Sequence, residues 1–200
     1  MRVAVANLKG GCGKTLTSVF LANALAGRGR TLLVDADPQG SALSWASAAE
    51  EEGELPYRAI GLPTKDVHKK LAGLADDYEH VVIDTPPFEA GIVRAALMAA
   101  GTALVVVPPT KIDLDRVMAT LELLAEVEPV TDLRYRVLLT RVRRITREGR
   151  DTREAMEQMN LAVLDTEIPQ LSRYSDAFGE AVTDAGDYER VAGELLGEEA

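Results

Sequence analysis

The sequence predicts an α/β fold, a mostly parallel β-sheet flanked by helices on both faces. Three observations predict it. Short apolar runs recur as continuous stretches instead of alternating with polar residues, the pattern of strands buried on both faces. Segments with apolar residues at helical spacing separate them. Four runs end in turns rich in glycine, aspartate or proline, at the carboxyl ends where parallel sheets hold ligands.

Taken in order, "RVAVANL" (2–8) is a β-branched run ending at glycines, and "LTSVFLANALAGRG" (16–29) is a helix closing on glycine. "TLLVDADPQG" (31–40) is a strand stopped by an acidic, proline-containing turn. An Ala/Ser-rich helix then runs through Trp45, followed by an acidic connector at 50–54, a short run near 57–61 and a helix near 65–75. "HVVIDTPP" (80–87) and "TALVVVPPT" (102–110) are buried strands that end in prolines. A long helix fits 113–127, a strand fits 135–140 and a helix fits about 149–159. A last strand is expected within "LAVLDTEIP" (161–169), and a final helix over about 188–196.

Two hundred residues with 46% hydrophobic side chains suffice for one core, and 1–200 read as a single domain without repeats or low-complexity linkers. The single cysteine, Cys12, excludes a disulfide framework and a multi-cysteine metal site. The chain opens in a strand-like run with no signal peptide, which fits a reducing cytoplasm. No apolar run reaches the roughly 20 residues of a membrane span. The terminal "YERVAGELLGEEA" (188–200) lacks the basic face of a membrane-lying helix, so no membrane partner is expected. His68 and His80 stand too far apart to suggest a site, and Trp45 reads as a core or interface anchor.

The chemistry is concentrated in "NLKGGCGKT" (7–15). Gly13, Lys14 and Thr15 fit the end of a phosphate loop, while Leu8 stands where the first glycine is usual. Glycines let successive N–H groups point inward on an anion, the following helix offers its positive end, and Lys14 adds a mobile charge. Thr15 is placed to put its hydroxyl on Mg²⁺. Asp84, at the end of a downstream strand, is placed for the metal shell, although an aspartate at a strand end also serves as a cap. Asp35 and Asp37 occupy alternate positions of one turn and should project to the same side, serving metal and attacking water, unless one of them caps the next helix. Cys12 contributes its backbone N–H, and its place before a helix would lower its thiol pKa.

"KGGCGKT" (9–15), "LLVDADPQGSALSW" (32–45), "VVIDTPP" (81–87), "VVVPPTKIDLD" (105–115), "LLTRVRR" (138–144) and "IPQLSRYSDAFGEAV" (168–182) fall in the order found in the ParA family of DNA-partition ATPases, which the chain resembles over nearly its whole length. It looks most like the small members that begin at the first strand, without a helix-turn-helix domain. The resemblance implies a nucleoside-triphosphatase of the deviant phosphate-loop type, hydrolysing ATP slowly with Mg²⁺. It implies that Lys9 reaches across a dimer interface to the partner's nucleotide and that Lys14 binds the β and γ phosphates. Asp37 would position the attacking water, while Thr15, Asp84 and Asp35 would serve the metal. The nucleotide-binding stretch would then comprise Lys9, Gly10, Gly11, Cys12, Gly13, Lys14, Thr15 and Leu16, with the adenine over Thr140, Arg141 and Pro169. Leu16 replaces a second threonine that is usual in the family.

The charge of −10 argues against a polyanion partner, but a net figure hides local patches. Segment 134–153 holds eight arginines against two acids, a local charge of +6. Arg143, Arg144, Arg147, Arg150 and Arg153 suit contact with DNA phosphates, joined by Arg173 through the resemblance; the alternative is pairing with acids elsewhere in the fold. The function expected is a partition switch: an ATP-dependent homodimer on non-specific DNA, released when a ParB-like or other cargo-bound protein stimulates hydrolysis, cytoplasmic and nucleoid-associated in the ATP state. Its competitor is a MinD-like ATPase that positions a membrane or protein cargo without DNA. A reductase on the same scaffold would need cluster-ligating cysteines that this sequence lacks.

Overall fold

The computed structural model describes residues 1–109, 111–143 and 148–198, with the side chains of 111–116 and 148–149 outside that description. Six strands, β1 (Arg2–Ala6), β2 (Thr31–Asp35), β3 (Arg58–Gly61), β4 (His80–Asp84), β5 (Thr102–Val107) and β6 (Arg134–Leu139), form one sheet in the order β3-β2-β4-β1-β5-β6. Every neighbouring pair is parallel. Eight helices connect and follow them: α1 (Lys14–Ala26), α2 (Ser41–Glu52), α3 (Val67–Leu74), α4 (Ala90–Ala100), α5 (Lys111–Val127), α6 (Glu148–Gln158), α7 (Ser172–Ser175) and α8 (Asp187–Leu196).

Because side chains alternate along a strand, each central strand feeds two cores. Ala4, Leu32, Val34, Ile83 and Val105 face α3, α4 and α5. Val3, Val5, Leu33, Val82 and Leu104 face α1, α2 and α8. β2 and β4 are buried at every position, which accounts for their unbroken apolar runs. Their register pairs Asp35 with Asp84, and β1 pairs Val5 with Asp84. The end of β1 thus lies beside both aspartate-bearing turns. Trp45 is buried in the second core, with its indole N–H on the Glu180 carbonyl at 2.9 Å.

The structure departs from the sequence reading in three places. The segment 161–169 is not a strand: it touches β6 through two isolated bridges, Val137 with Val163 and Val142 with Pro169. Between them the Asp165 and Thr166 amides donate to the Glu194 carboxylate of α8, at 2.7 and 2.8 Å, so the chain is drawn off the ladder. Helix α4 fills a stretch after Pro87 for which the sequence reading named no element. Helix α2 runs on to Glu52, because the acids read as a connector are exposed and compatible with a last helical turn.

Candidate phosphate-binding site

Asn7 fixes the start of the glycine loop. Its amide donates to the Val106 carbonyl at 2.8 Å, and its Oδ1 accepts the Lys9 N–H at 2.8 Å. Leu8, in the position of the usual first glycine, packs against the core and accepts the Phe88 N–H on its carbonyl, so a side chain is tolerated there. Gly11 and Gly13 take the left-handed conformation, at φ 72° and 94°, where a Cβ is strained. Gly13 precedes α1 without any side-chain cap, and Thr17 N–H is the first to close, on the Gly13 carbonyl at 2.9 Å. The amides before it lack intrahelical acceptors and are directed at whatever anion the loop holds.

Lys14 is 6% exposed and donates its ammonium to the Lys9 carbonyl at 2.9 Å, which keeps its charge inside the loop. Cys12 is buried, with its thiol on the same carbonyl at 3.3 Å. Burial pushes that thiol up in pKa, outweighing the opposing charge of Lys14, so the lowered value expected from the helix terminus is not what the site produces.

Two carboxylates face each other across the β2–β4 register. Asp84 is fully buried; its Oδ2 accepts the Thr15 hydroxyl at 2.8 Å and its Oδ1 accepts the Ser18 hydroxyl at 2.9 Å. Burial pushes its pKa up to about 7, the charge of Asp35 adds to the rise, and the two hydroxyls and Lys14 oppose it. Asp35 spends both oxygens on backbone, Oδ1 on the Asp37 amide at 3.0 Å and Oδ2 on the Leu43 amide at 2.8 Å. It shapes the turn that carries Asp37. Asp37 accepts the Gln39 amide on Oδ1 at 2.9 Å and is partly exposed at the mouth of the loop.

A cavity of about 560 Å³ adjoins the loop, a size typical of small-molecule sites. Gly13, Leu16, Thr140, Arg141 and Pro169, all singled out from the sequence, line it. Thr140 ties it to the loop by donating to the Cys12 carbonyl at 3.1 Å. The structure adds Gln170, Tyr174 and Tyr188, which no sequence pattern had marked. Tyr188 is buried with its hydroxyl 3.0 Å from Thr17 Oγ1, and it packs with Phe20 and Tyr174 in an aromatic cluster under the cavity.

The expected DNA-facing arginines divide. Arg144 and Arg147 lie outside the described residues. Arg143 and Arg150 are exposed, with Arg143 Nε on Gln170 Oε1 at 2.7 Å. Arg153 is held inside the fold by Glu167 at 2.7 Å, Glu157 at 3.6 Å and the Leu164 carbonyl at 2.9 Å. Arg173 pairs with Asp187 at 3.3 Å and Asp184 at 3.6 Å and stacks 4.6 Å over the Tyr174 ring. Arg134 and Arg136 stand exposed on the edge strand β6.

Among the described residues no group of three or more His, Cys, Asp or Glu is placed to hold a metal by itself. The donors at hand are oxygens, the Thr15 hydroxyl and the Asp84 carboxylate beside an anion loop. That set fits Mg²⁺, which takes one or two protein oxygens and completes its shell from phosphate and water. Among the described residues no helix is long and apolar enough to cross a membrane.

Known proteins share this arrangement. Residues 3–183 match the CobQ/CobB/MinD/ParA nucleotide binding domain. The chain is 29% identical over 183 residues to maintenance of carboxysome distribution protein A of Halothiobacillus neapolitanus, covering 90% of this chain and 85% of that one. It is 42% identical over 145 residues to the protein of the same name from Gloeobacter kilaueensis, covering 70% of this chain and 62% of the relative, so less than two thirds of that protein's length is represented. The chromosome-partitioning ATPase Soj of Thermus thermophilus is 34% identical over 165 residues, covering 68% and 66%. Among solved structures, a complex of Cyanothece McdA with ATP superposes with a TM-score of 0.81 at 19% identity, covering 99% of this chain and 96% of that one, a likeness of fold. Cobyrinic acid a,c-diamide synthase from Mycobacterium smegmatis with an ATP analogue and magnesium superposes at 0.75 with 26% identity, covering 97% and 93%. With its glycine loop, paired aspartates and parallel sheet, the chain belongs to the CobQ/CobB/MinD/ParA nucleotide-binding family and is of the ParA/MinD type.

Proposed function

We propose that the protein is a Mg²⁺-dependent ATPase that works as a positioning switch: its ATP form is a dimer that binds DNA without sequence preference, and hydrolysis stimulated by a cargo-bound partner releases it. The observation that carries the reading is the convergence of Lys14, the Thr15–Asp84 pair and Asp37 on one glycine loop. The loop amides and Lys14 bind the phosphates, and Thr15 and Asp84 hold the metal side. Bound Mg²⁺ supplies neutralisation of phosphate charge. Asp37, on a turn fixed by Asp35, orients the attacking water, and the cavity beside Thr140, Arg141 and Pro169 takes the adenine.

Lys14 already serves the phosphates of its own subunit, so Lys9 is assigned to the nucleotide of the partner subunit. Only a triphosphate offers enough negative charge there to offset the approach of two lysines and two acidic chains. Arg143, Arg144, Arg147 and Arg150 form the DNA surface, doubled in the dimer. Relatives named for carboxysome distribution favour a protein assembly as cargo, and Soj favours a chromosome. A protein cargo positioned without DNA is the second reading.

Light scattering tests the switch. The wild type should be a dimer with ATP and a monomer with ADP, and Lys9→Ala should stay monomeric while still binding ATP. An ATP-dependent dimer of Lys9→Ala would contradict the role across the interface.

A further inference from the structure

We infer that Ser18 is a positioning residue for the metal side of the phosphate site, acting through Asp84 on Thr15. The inference rests on the ATPase reading above.

Position 18 lies in a stretch of α1 where residues 17–22 are all buried, a place where packing alone calls for an apolar side chain. A hydroxyl there must find a partner. It finds two: the Asp84 carboxylate Oδ1 at 2.9 Å and the Lys14 carbonyl at 3.0 Å. Ser18 has one hydrogen to donate, and an ionised carboxylate is the stronger acceptor. Thr15 and Ser18, three apart on one helix face, therefore grip the two oxygens of one fully buried carboxylate.

The order of these bonds has a chemical consequence. With Oδ1 held by Ser18, Asp84 presents Oδ2 to the Thr15 hydroxyl hydrogen. That fixes the Thr15 hydrogen toward Asp84 and leaves the oxygen's lone pairs on the side away from it, available to a cation. Without Ser18, Oδ1 is a buried acceptor short of a donor, and the carboxylate is free to turn and draw the Thr15 hydroxyl with it. Partners of this kind behind a metal ligand commonly change metal affinity by about 10–100-fold.

The test is Mg²⁺ titration of binding of a fluorescent N-methylanthraniloyl ATP to the full chain, with a parallel series in EDTA. In Ser18→Ala the Mg²⁺ concentration at half-saturation should rise about tenfold, binding in EDTA should stay within about twofold, and Ser18→Thr, which keeps the hydroxyl, should return most of the wild-type Mg²⁺ dependence. A purely structural role would weaken binding equally with and without Mg²⁺, and that result overturns the inference. So does an unchanged Mg²⁺ midpoint in Ser18→Ala. If Ser18→Ala fails to fold by circular dichroism, Ser18→Cys keeps the volume with a weak donor and is read the same way. Wild-type binding that ignores Mg²⁺ would bring down the ATPase reading and this one with it; Mg²⁺-dependent wild type with an unaffected variant brings down this one alone.

Discussion

The carboxyl ends of β1, β2 and β4 and the arginine-rich segment after β6 are both polar, yet they are built on opposite principles. At the first, the polar side chains are mostly buried and satisfied: Asp84 by two hydroxyls, Asp35 by two amides, Lys14 by a carbonyl. Backbone geometry and sheet register place them there, and a shift of one residue would disconnect the set. At the second, guanidinium groups sort themselves by the nearest acid. Arg153 and Arg173 find partners inside the chain, while Arg134, Arg136 and Arg150 stand out on the surface. A backbone-coded site announces itself in spacing; a side-chain-coded surface does not, since eight arginines in a row of twenty residues can be spent in either way.

Three substitutions sharpen that contrast. Changing Arg144, Arg147 and Arg150 together to Glu should weaken binding to duplex DNA by well over an order of magnitude at low salt and reduce the salt slope by about three, with nucleotide affinity unmoved; an unchanged slope would place the DNA surface elsewhere. Arg153→Ala should act on the fold instead. Loss of its carboxylate and carbonyl partners should cost about 1–2 kcal/mol in denaturant unfolding with no change in salt slope, and a lowered slope would return Arg153 to the DNA surface.

The smallest effect concerns pH. Burial holds Asp84 near 7, above its unfolded value, so the native state keeps a proton that the unfolded chain has lost. The resulting stability is fully present below the unfolded pKa and is lost as pH rises toward 7. Without nucleotide, the protein should gain on the order of 1 kcal/mol between pH 7.5 and 6 relative to Asp84→Asn. Parallel pH profiles would show that Asp84 is not the group responsible.

Much of this was legible in the residues. The buried β2 and β4 read as unbroken apolar runs, and Gly11 and Gly13 stand where left-handed backbone is needed. What escaped depended on contacts distant in sequence. Segment 161–169 has the composition of a strand but is pulled away by Glu194, some thirty residues on. Helix α4 hid behind Pro86 and Pro87. Ser18 and Tyr188 carry no motif; one is a helical serine, the other the second residue of a terminal helix, and only the fold brings them to Asp84 and Thr17. Cys12 was misread in sign because its burial, set by the core beneath the loop, outweighs its helix-terminal position.

The most direct measurement is fluorescence anisotropy of a random-sequence duplex with Asp37→Ala protein, in ATP, in ADP and without nucleotide, across a salt series. Slowed hydrolysis should hold that variant in its ATP form, so the predicted result is binding with ATP alone, falling steeply as salt rises. Equal binding in all three states, or none in any, would contradict a nucleotide-controlled DNA switch.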